Sequence, residues 1–471
     1  TSAAVTSYAY DRLGRLRWAV SPEGSALLGQ GTTYSASSDL ASRWCFLYFY
    51  DSRGRLTEKR LPGPVAEKYV YDNADRLVLV QSPLMTSSSS YAIGIYYDAH
   101  GRETGRKRVN LLSKTIEEIR SSFESSGTHS YYTRANNPVW KETAYDAYPS
   151  WMPEELEFVR EEGFPAADTL RTGGLVTAVG QVVLGDGGYS YASMYYDSLG
   201  RVVQKVEMLP SGTLRTSSAF DRQGNILREK ATFAADSLSH VLERTFSYDQ
   251  RGRLLEECAF LDGERMSSVS TAYDGIGRAF RLSYREELEE NEYDLHNNLS
   301  YNLQGWMNGC SAGYENDFFL SRLHFDDPLP GDTPSYTGNV SSWWTWHDSG
   351  EDYSDNEFGF SYDLLGRLTA TRSVKGGEQD LFGEDLSYDL NGNITSLTRR
   401  EGSSEGTTKT WTYTGNRRSG HSYDAAGNIR SGGMPGVESI TYNILGLPSS
   451  VTLSGVSDHT VEYAWLLDGT K

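Results

Sequence analysis

Phe358-Gly359-Phe360-Ser361-Tyr362-Asp363-Leu364-Leu365-Gly366-Arg367-Leu368-Thr369-Ala370-Thr371 is the stretch that decides the fold. An alternating run enters, Asp-x-x-Gly interrupts, and a second alternating run leaves. An aspartate can accept a hydrogen bond from a main-chain N–H two residues on, and glycine reaches positive φ without a Cβ clash. The link length suits a β-hairpin closed by a type I turn and a left-handed glycine. A tyrosine at the turn would lay its ring across the strand pair while its hydroxyl stays in water.

The same phrase recurs from end to end. Copies open at Tyr10-Asp11, Tyr50-Asp51, Tyr97-Asp98, Tyr196-Asp197, Phe220-Asp221, Tyr248-Asp249, Tyr273-Asp274, Tyr388-Asp389 and Tyr423-Asp424, each with glycine four residues after the aromatic. Degraded copies are read at Tyr71-Asp72, Tyr293-Asp294, Tyr442-Asn443 and Tyr463-Ala464. Most spacings run from 19 to 28 residues, enough for two strands and two connections. Self-similarity at that period means a quasi-one-dimensional array. Each hairpin must pair edge to edge with the next to satisfy its backbone, giving upwards of about twenty strands in one antiparallel sheet. A sheet so wide has to coil. The expected fold is therefore all-β, a coiled ribbon of tandem hairpins. Repeats fill 1–102, 191–300 and 359–471, with an insertion at 103–190 and a decayed stretch at 301–358.

Composition agrees. Of 471 residues 38% are hydrophobic, with 47 glycines and 32 tyrosines, a turn-rich β composition in which one sheet face is expected to be largely polar. No apolar run is long enough for a transmembrane helix. Net charge is −19; residues 291–390 hold 4 basic against 18 acidic residues. Such a field repels nucleic acid and anionic membranes. The three cysteines, Cys45, Cys258 and Cys310, have neither disulfide-framework nor metal spacing. The first residues carry no signal-peptide pattern. Helical signal concentrates in Met152–Glu161, where Pro153 and the acids after it suit a short capped helix over a sheet edge.

Ten intact copies make the chain resemble the YD-repeat, or Rhs, family: bacterial Rhs proteins, Tc-toxin cocoon components and teneurins. Tyr362-Asp363-Leu364-Leu365-Gly366-Arg367 and Tyr388-Asp389-Leu390-Asn391-Gly392-Asn393 match the family phrase unchanged. The stretch near Tyr145–Gly180 and Tyr336-Thr337-Gly338-Asn339-Val340 with Trp343, Trp344 and Trp346 resemble Bacteroidetes-type members. The resemblance implies a hollow shell that encloses a variable C-terminal polypeptide, often a toxin, in a secreted or cell-surface protein. Tyr463–Lys471 looks like the approach to the conserved core segment that precedes such cargo. The partners implied are that core and cargo, with surface glycans for an adhesive alternative. A chain of this length is expected to form an open arc of the shell.

Few residues stand out for chemistry. Repeat aspartates and glycines read as turn geometry, and Arg15, Arg55, Arg102, Arg201, Arg253, Arg278 and Arg367 as a ladder paired with aspartates or stacked on tyrosines. Candidate ligand contacts are Trp343, Trp344, Trp346, Asp348, Asp352 and Asp355, where tryptophans beside carboxylates could hold a sugar face or a cation. Packing between layers is the competing reading. Glu286–Glu287 and Glu289–Glu290 read as a solvated loop tip. Asp327-Pro328 resembles the family's self-cleavage phrase only superficially, since Pro330 stands where that phrase has glycine. No catalytic triad, paired histidines or phosphate loop emerges, so neither enzyme activity nor a cofactor is expected.

Overall fold

The computed structural model describes residues 3–471 apart from 30–32, 87–89, 113, 186, 236–237, 289–290, 315–316, 349–352, 376–377, 380–381, 403–405, 433 and 456–458. Among the described residues, 29 strands form one sheet. From Ser7–Tyr10 to Thr407–Thr410 the pairing is a meander in chain order, antiparallel throughout. Three small sheets follow, at 413–418, 422–431 and 437–462.

At each repeat the turn takes the expected form. In the copy at Tyr362 the Asp363 N–H donates to the Arg367 carbonyl at 2.9 Å and the Gly366 N–H to the Asp363 carbonyl at 3.0 Å. Gly366 has φ +76°. A register shift at Tyr362 marks the bulge that accompanies this turn. Asp75 occupies the glycine position of the copy at Tyr71 with φ +62°, so that degraded copy keeps full turn geometry.

Two of the degraded copies form their turns elsewhere than their letters suggest. Tyr293-Asp294 lies inside the strand Asn291–Tyr301, and the turn is made eight residues later by Tyr301-Asn302-Leu303-Gln304-Gly305-Trp306. The last turn is not at Tyr463-Ala464 but at Trp465–Thr470, closed by Leu466 N–H on the Thr470 carbonyl at 2.8 Å.

The ribbon closes on itself. The Glu23 N–H donates to Asn391 Oδ1, and the Leu390 N–H to Glu23 Oε1, both at 2.9 Å and more than 360 residues apart in the chain. Val65 N–H reaches the Ala425 carbonyl at 2.9 Å. Val183–Leu184 pairs with Trp465–Leu466. Turns of the later repeats therefore sit against the opposite ends of the early hairpins. A cavity of about 280 Å³ lies in this seam, between Leu61, Val65 and Leu84 on one side and Ala426, Ile444 and Leu445 on the other. An arc short of closure was expected from length; the twist accumulated over so many strands carries it through a complete turn.

A second layer exists only where segments leave the ribbon. One such segment is 111–138, with the helix Ile116–Ser126. Thr115 and Glu118 form a capping box, and Gly127, at φ +75°, ends it. Ile116, Ile119 and Phe123 repeat at helical spacing and bury against Val70, Leu79, Ala92 and Val109. Burying that many apolar side chains contributes roughly 1.5–3 kcal/mol each before entropy. The helix expected at 152–161 reduces to one 3₁₀ turn, Glu154–Leu156. It lies on the sheet's face, not its edge: Leu156 is fully buried against Tyr195 and Val206, and its carbonyl accepts from Ser193 Oγ and Tyr195 Oη.

The 147–174 excursion has an unusual origin. Tyr145-Asp146 opens a turn, but the closing bond runs from Asp146 N–H to the Leu175 carbonyl at 3.1 Å, while Asp146 Oδ1 accepts from the Gly174 N–H. The whole segment is thus inserted within a single repeat turn.

Candidate functional site

The repeat aspartates build the rim from the turn upward. Asp363 Oδ1 accepts from the N–H groups of Leu365 and Arg367, and its Oδ2 accepts from Arg367 Nε at 2.6 Å. Asp11, Asp51, Asp98, Asp197, Asp249 and Asp274 repeat that three-bond pattern. For Asp363, burial pushes its pKa up, but the main-chain and side-chain hydrogen bonds from Arg367 outweigh it and hold the carboxyl below its usual range. Asparagine at the arginine position keeps the logic: Asn393 Nδ2 donates to Asp389 Oδ2 at 2.8 Å.

Each arginine then reaches into the next copy. Arg367 Nη1 donates to the Asp389 carbonyl at 3.0 Å while its guanidinium lies 4.6 Å from the Tyr388 ring centre. Arg15 covers Tyr50, Arg55 covers Tyr71, Arg76 covers Tyr97, Arg201 covers Phe220, Arg253 covers Tyr273 and Arg278 covers Tyr301, at 4.5–5.0 Å. The tyrosine hydroxyls return the contact. Tyr388 Oη donates to the Leu368 carbonyl at 2.6 Å, and Tyr97, Tyr248, Tyr273, Tyr301 and Tyr362 do the same one copy back. These hydroxyls were expected to stay in water. They are used instead as rungs, because the neighbouring strand's unpaired carbonyl at the bulge needs a donor. Where tyrosine gives way to Trp465, its indole N–H donates to the Pro448 carbonyl.

The cross-strand register separates the two faces. Leu79 pairs with Gly94 and, two residues along the same strand, Tyr96 with Gly105, from which Glu142, Gly180, Tyr191 and Met208 follow one another across the sheet on the same face. That face carries Tyr195 and Val206 beneath the 147–174 excursion, and Ser342, Gly359 and Arg372 beneath 325–341. Asp332 clamps the latter loop down: its carboxylate accepts two bonds from Arg372, at 2.9 and 2.8 Å, and one from Ser342 Oγ at 2.8 Å. All the excursions thus lie on the same face. Among the described residues no excursion covers the other face.

Between Val206 and Phe325 no described hydrophobic residue is buried. Past the 147–174 excursion, whose Phe164 lies on Arg228 and whose Glu161 pairs with Lys230, the sheet is a single layer among the described residues. Its excursion-side face is polar there, with Arg281 beside Asn298 and His296 beside Ser283. The uncovered face carries Leu242, 36% exposed, among charge pairs such as Arg244 with Glu229 and Glu257.

The tryptophan segment spans the strand Ser342–Asp348. Trp343 points to the uncovered face, stacks on Phe358 at 5.3 Å and donates its indole N–H to Ser321 Oγ. Trp344 points to the other face, where Asp355 Oδ1 accepts its indole N–H at 2.6 Å and Arg322 lies over its ring. Trp346 is half-buried and pairs in register with Asp355 and Leu320. Asp348 is exposed at the strand end. Asp352 lies outside the described residues, as do Glu289 and Glu290. The strand thus divides the candidate ligand residues between two faces. No group of three His, Cys, Asp or Glu side chains fit to hold a metal occurs among the described residues. Asp327 sits in an exposed loop, its carbonyl accepting from His324.

A coiled ribbon of antiparallel hairpins, locked copy to copy by arginine and tyrosine, defines the YD-repeat, or Rhs, shell fold. Solved structures bear this out. The chain is similar to the Tc holotoxin pore of Photorhabdus luminescens at TM-score 0.68 and 14% identity over 98% of its length. It is similar to a TcdB2-TccC3-Cdc42 structure at TM-score 0.68, 14% identity and 99% coverage, and to TcdB2-TccC3 without its hypervariable C-terminal region at TM-score 0.63 and 15% identity. The chain spans only about a fifth of those chains, 21–22%. No family model and no curated protein matches the sequence. No described helix is long and apolar enough to cross a membrane.

Proposed function

We propose that this chain is a length of wall in a secreted or cell-surface Rhs-type shell whose hollow encloses a C-terminal polypeptide of the same protein. The observation that carries the reading is closure: a ribbon that returns to hydrogen-bond its own beginning through Glu23, Asn391, Val65 and Ala425 has a distinct inside and outside. The similarity to TcdB2-TccC3 structures, one named for its missing hypervariable C-terminal region, supports the same reading. The role is structural. Rim contacts hold the wall, and the uncovered face, free of excursions among the described residues, lines the hollow. Containment then depends on the seam and the ladder remaining closed.

The test uses the natural polypeptide that contains this segment. Its C-terminal portion should resist protease as long as the wall is intact, and become sensitive when the seam is opened by Glu23→Ala with Val65→Asp. Equal protease sensitivity in both proteins would refute enclosure.

A further inference from the structure

Asparagine followed by glycine occurs twice in the chain, at Asn308-Gly309 and Asn391-Gly392. Glycine has no Cβ to shield its main-chain nitrogen, so that nitrogen can reach the carboxamide carbon of the asparagine before it wherever the backbone between them is able to turn. Asn308-Gly309 lies in the strand Met307–Gly313, with Gly309 in register between Ser300 and Arg322 and Asn308 Oδ1 accepting from Ser300 Oγ at 2.9 Å. Laddered on both sides, it cannot fold back without opening the sheet. Asn391-Gly392 occupies the turn after Tyr388, where Gly392 is exposed and Asn391 half-buried. The Gly392 N–H donates to the Asp389 carbonyl at 3.2 Å and the Asn393 N–H to Asp389 Oδ1 at 2.8 Å. Asp363 holds the N–H two residues on as well, that of Leu365; among the described residues Asp389 makes no such bond to Asn391, so this turn is tied at one point fewer.

The Asn391 side chain is also a seam contact. Its Oδ1 accepts the Glu23 N–H at 2.9 Å, its Nδ2 donates to Asn416 Oδ1 at 2.8 Å, and the neighbouring Leu390 N–H donates to Glu23 Oε1 at 2.9 Å. The carboxamide therefore uses both its acceptor and its donor, beside a carboxylate. Asn393 Nδ2 reaches the same Asn416 Oδ1 at 3.2 Å, so Asn416 cannot turn its own amide toward position 391 without giving up that bond.

We propose that Asn391 is a site of spontaneous deamidation that loosens the seam. The Gly392 nitrogen gives its proton to solvent and bonds to Asn391 Cγ; the Cγ–Nδ2 bond breaks, and Nδ2 takes up a proton and leaves as ammonia. The five-membered imide then adds water at either carbonyl, giving aspartate, or isoaspartate with the main chain routed through Cγ. No oxidant or cofactor enters. Either product is a carboxylate, with no N–H for Asn416 and a like charge beside Glu23. Isoaspartate also lengthens the main chain by one methylene, which shifts the turn that presents Leu390 to Glu23. The change runs one way. It removes this contact and leaves those of Val65 with Ala425 and of Val183–Leu184 with Trp465–Leu466. Seam geometry alone carries this, whatever the shell holds.

The whole chain is incubated in mildly alkaline buffer and sampled over time by peptide mass mapping and amide hydrogen exchange. Asn391 should deamidate within about tenfold of the rate in a peptide of residues 386–396, and Asn308 at least about a hundredfold below the rate in its own peptide. Exchange at the Glu23 and Leu390 N–H groups should rise about three- to tenfold in step with product, and Asn391→Asp protein should show that rise from the start. Asn391→Gln, whose longer side chain cyclises far more slowly, should hold its exchange constant through the same incubation. Glu23→Gln should remove part of the rise in Asn391→Asp protein. An Asn391 as slow as Asn308 would overturn the proposal. So would deamidated or Asn391→Asp protein whose seam exchanges at the rate of the unmodified chain.

Discussion

Asp197 offers the sharpest test of the rim chemistry. Its carboxylate accepts from the Leu199 N–H at 2.9 Å, the Arg201 N–H at 3.0 Å and Arg201 Nε at 2.7 Å, and its side chain is 11% exposed against 28% for Arg201. Asp197→Ala strands two main-chain donors and one guanidinium. At roughly 1 kcal/mol for each N–H near the surface, and about 1 kcal/mol for a screened ion pair, the loss should be about 2–3 kcal/mol. Asp197→Asn keeps the Oδ1 acceptor and should cost about 1 kcal/mol, for the chain itself uses asparagine there. Asn302 accepts from the Trp306 N–H and Asn443 from those of Leu445 and Leu447. Neither is followed by arginine, so the turn acceptor works there without a guanidinium. Because an array opens piecewise, hydrogen exchange across 189–209 is the fitting assay, with urea unfolding beside it. Equal losses for alanine and asparagine would refute the turn-acceptor account.

Three further outcomes are expected. Asp11, Asp51, Asp98, Asp197, Asp221, Asp249, Asp274 and Asp363 all have their carboxyl pKa lowered by hydrogen bonds from the turn and the next arginine or asparagine, against burial that raises it. A folded pKa below the unfolded one gives stability that is full above about pH 4 and lost as pH falls through the folded values, so urea midpoints should be flat in neutral buffer and collapse together below about pH 4; a gradual decline between pH 8 and 6 would contradict this. Asp332, 6% exposed, holds 325–341 to the sheet, so Asp332→Ala should cost about 2–3 kcal/mol and open that loop to protease, and Gly359→Ala, whose methyl would collide with the same carboxylate, should mimic it at about 2 kcal/mol. Cysteines placed at Glu23 and Asn391 should join under mild oxidation if the ribbon closes as described, and should stay free if it does not.

The turns were legible because their chemistry is local: an acceptor at one position and a backbone that needs positive φ three later. Substitutions that preserve function while changing letters hid the rest. Asn302 accepts as aspartate does, and the Trp465 N–H donates as the tyrosine hydroxyl does, so neither copy spells the phrase. The turn between Asp146 and Gly174 was invisible, since its two halves lie far apart in sequence. The helix at 116–126 could have been found: Thr115-x-x-Glu118 ahead of Ile119 and Phe123 is a capping box before an amphipathic run. At 152–161 the first-turn acids and apolar residues at helical spacing, Met152, Leu156 and Val159, were present, yet Glu157 is extended and the segment stops after one turn with Val159 48% exposed. Closure and the one-sided placement of the excursions depend on accumulated twist and register, which no single window of sequence contains.

The split turn has a practical meaning. Arg102 still stacks on Tyr145, and it holds the Asp146 carboxylate bidentately where other copies bond the next aspartate's carbonyl, although the segment 147–174 departs between the aspartate and its glycine. The turn itself needs only that the two ends come back together, while the excursion between them adds its own cover, with Leu156 packed on Tyr195 and Val206. Sequence grafted at such a turn would keep the joint but would have to replace that cover.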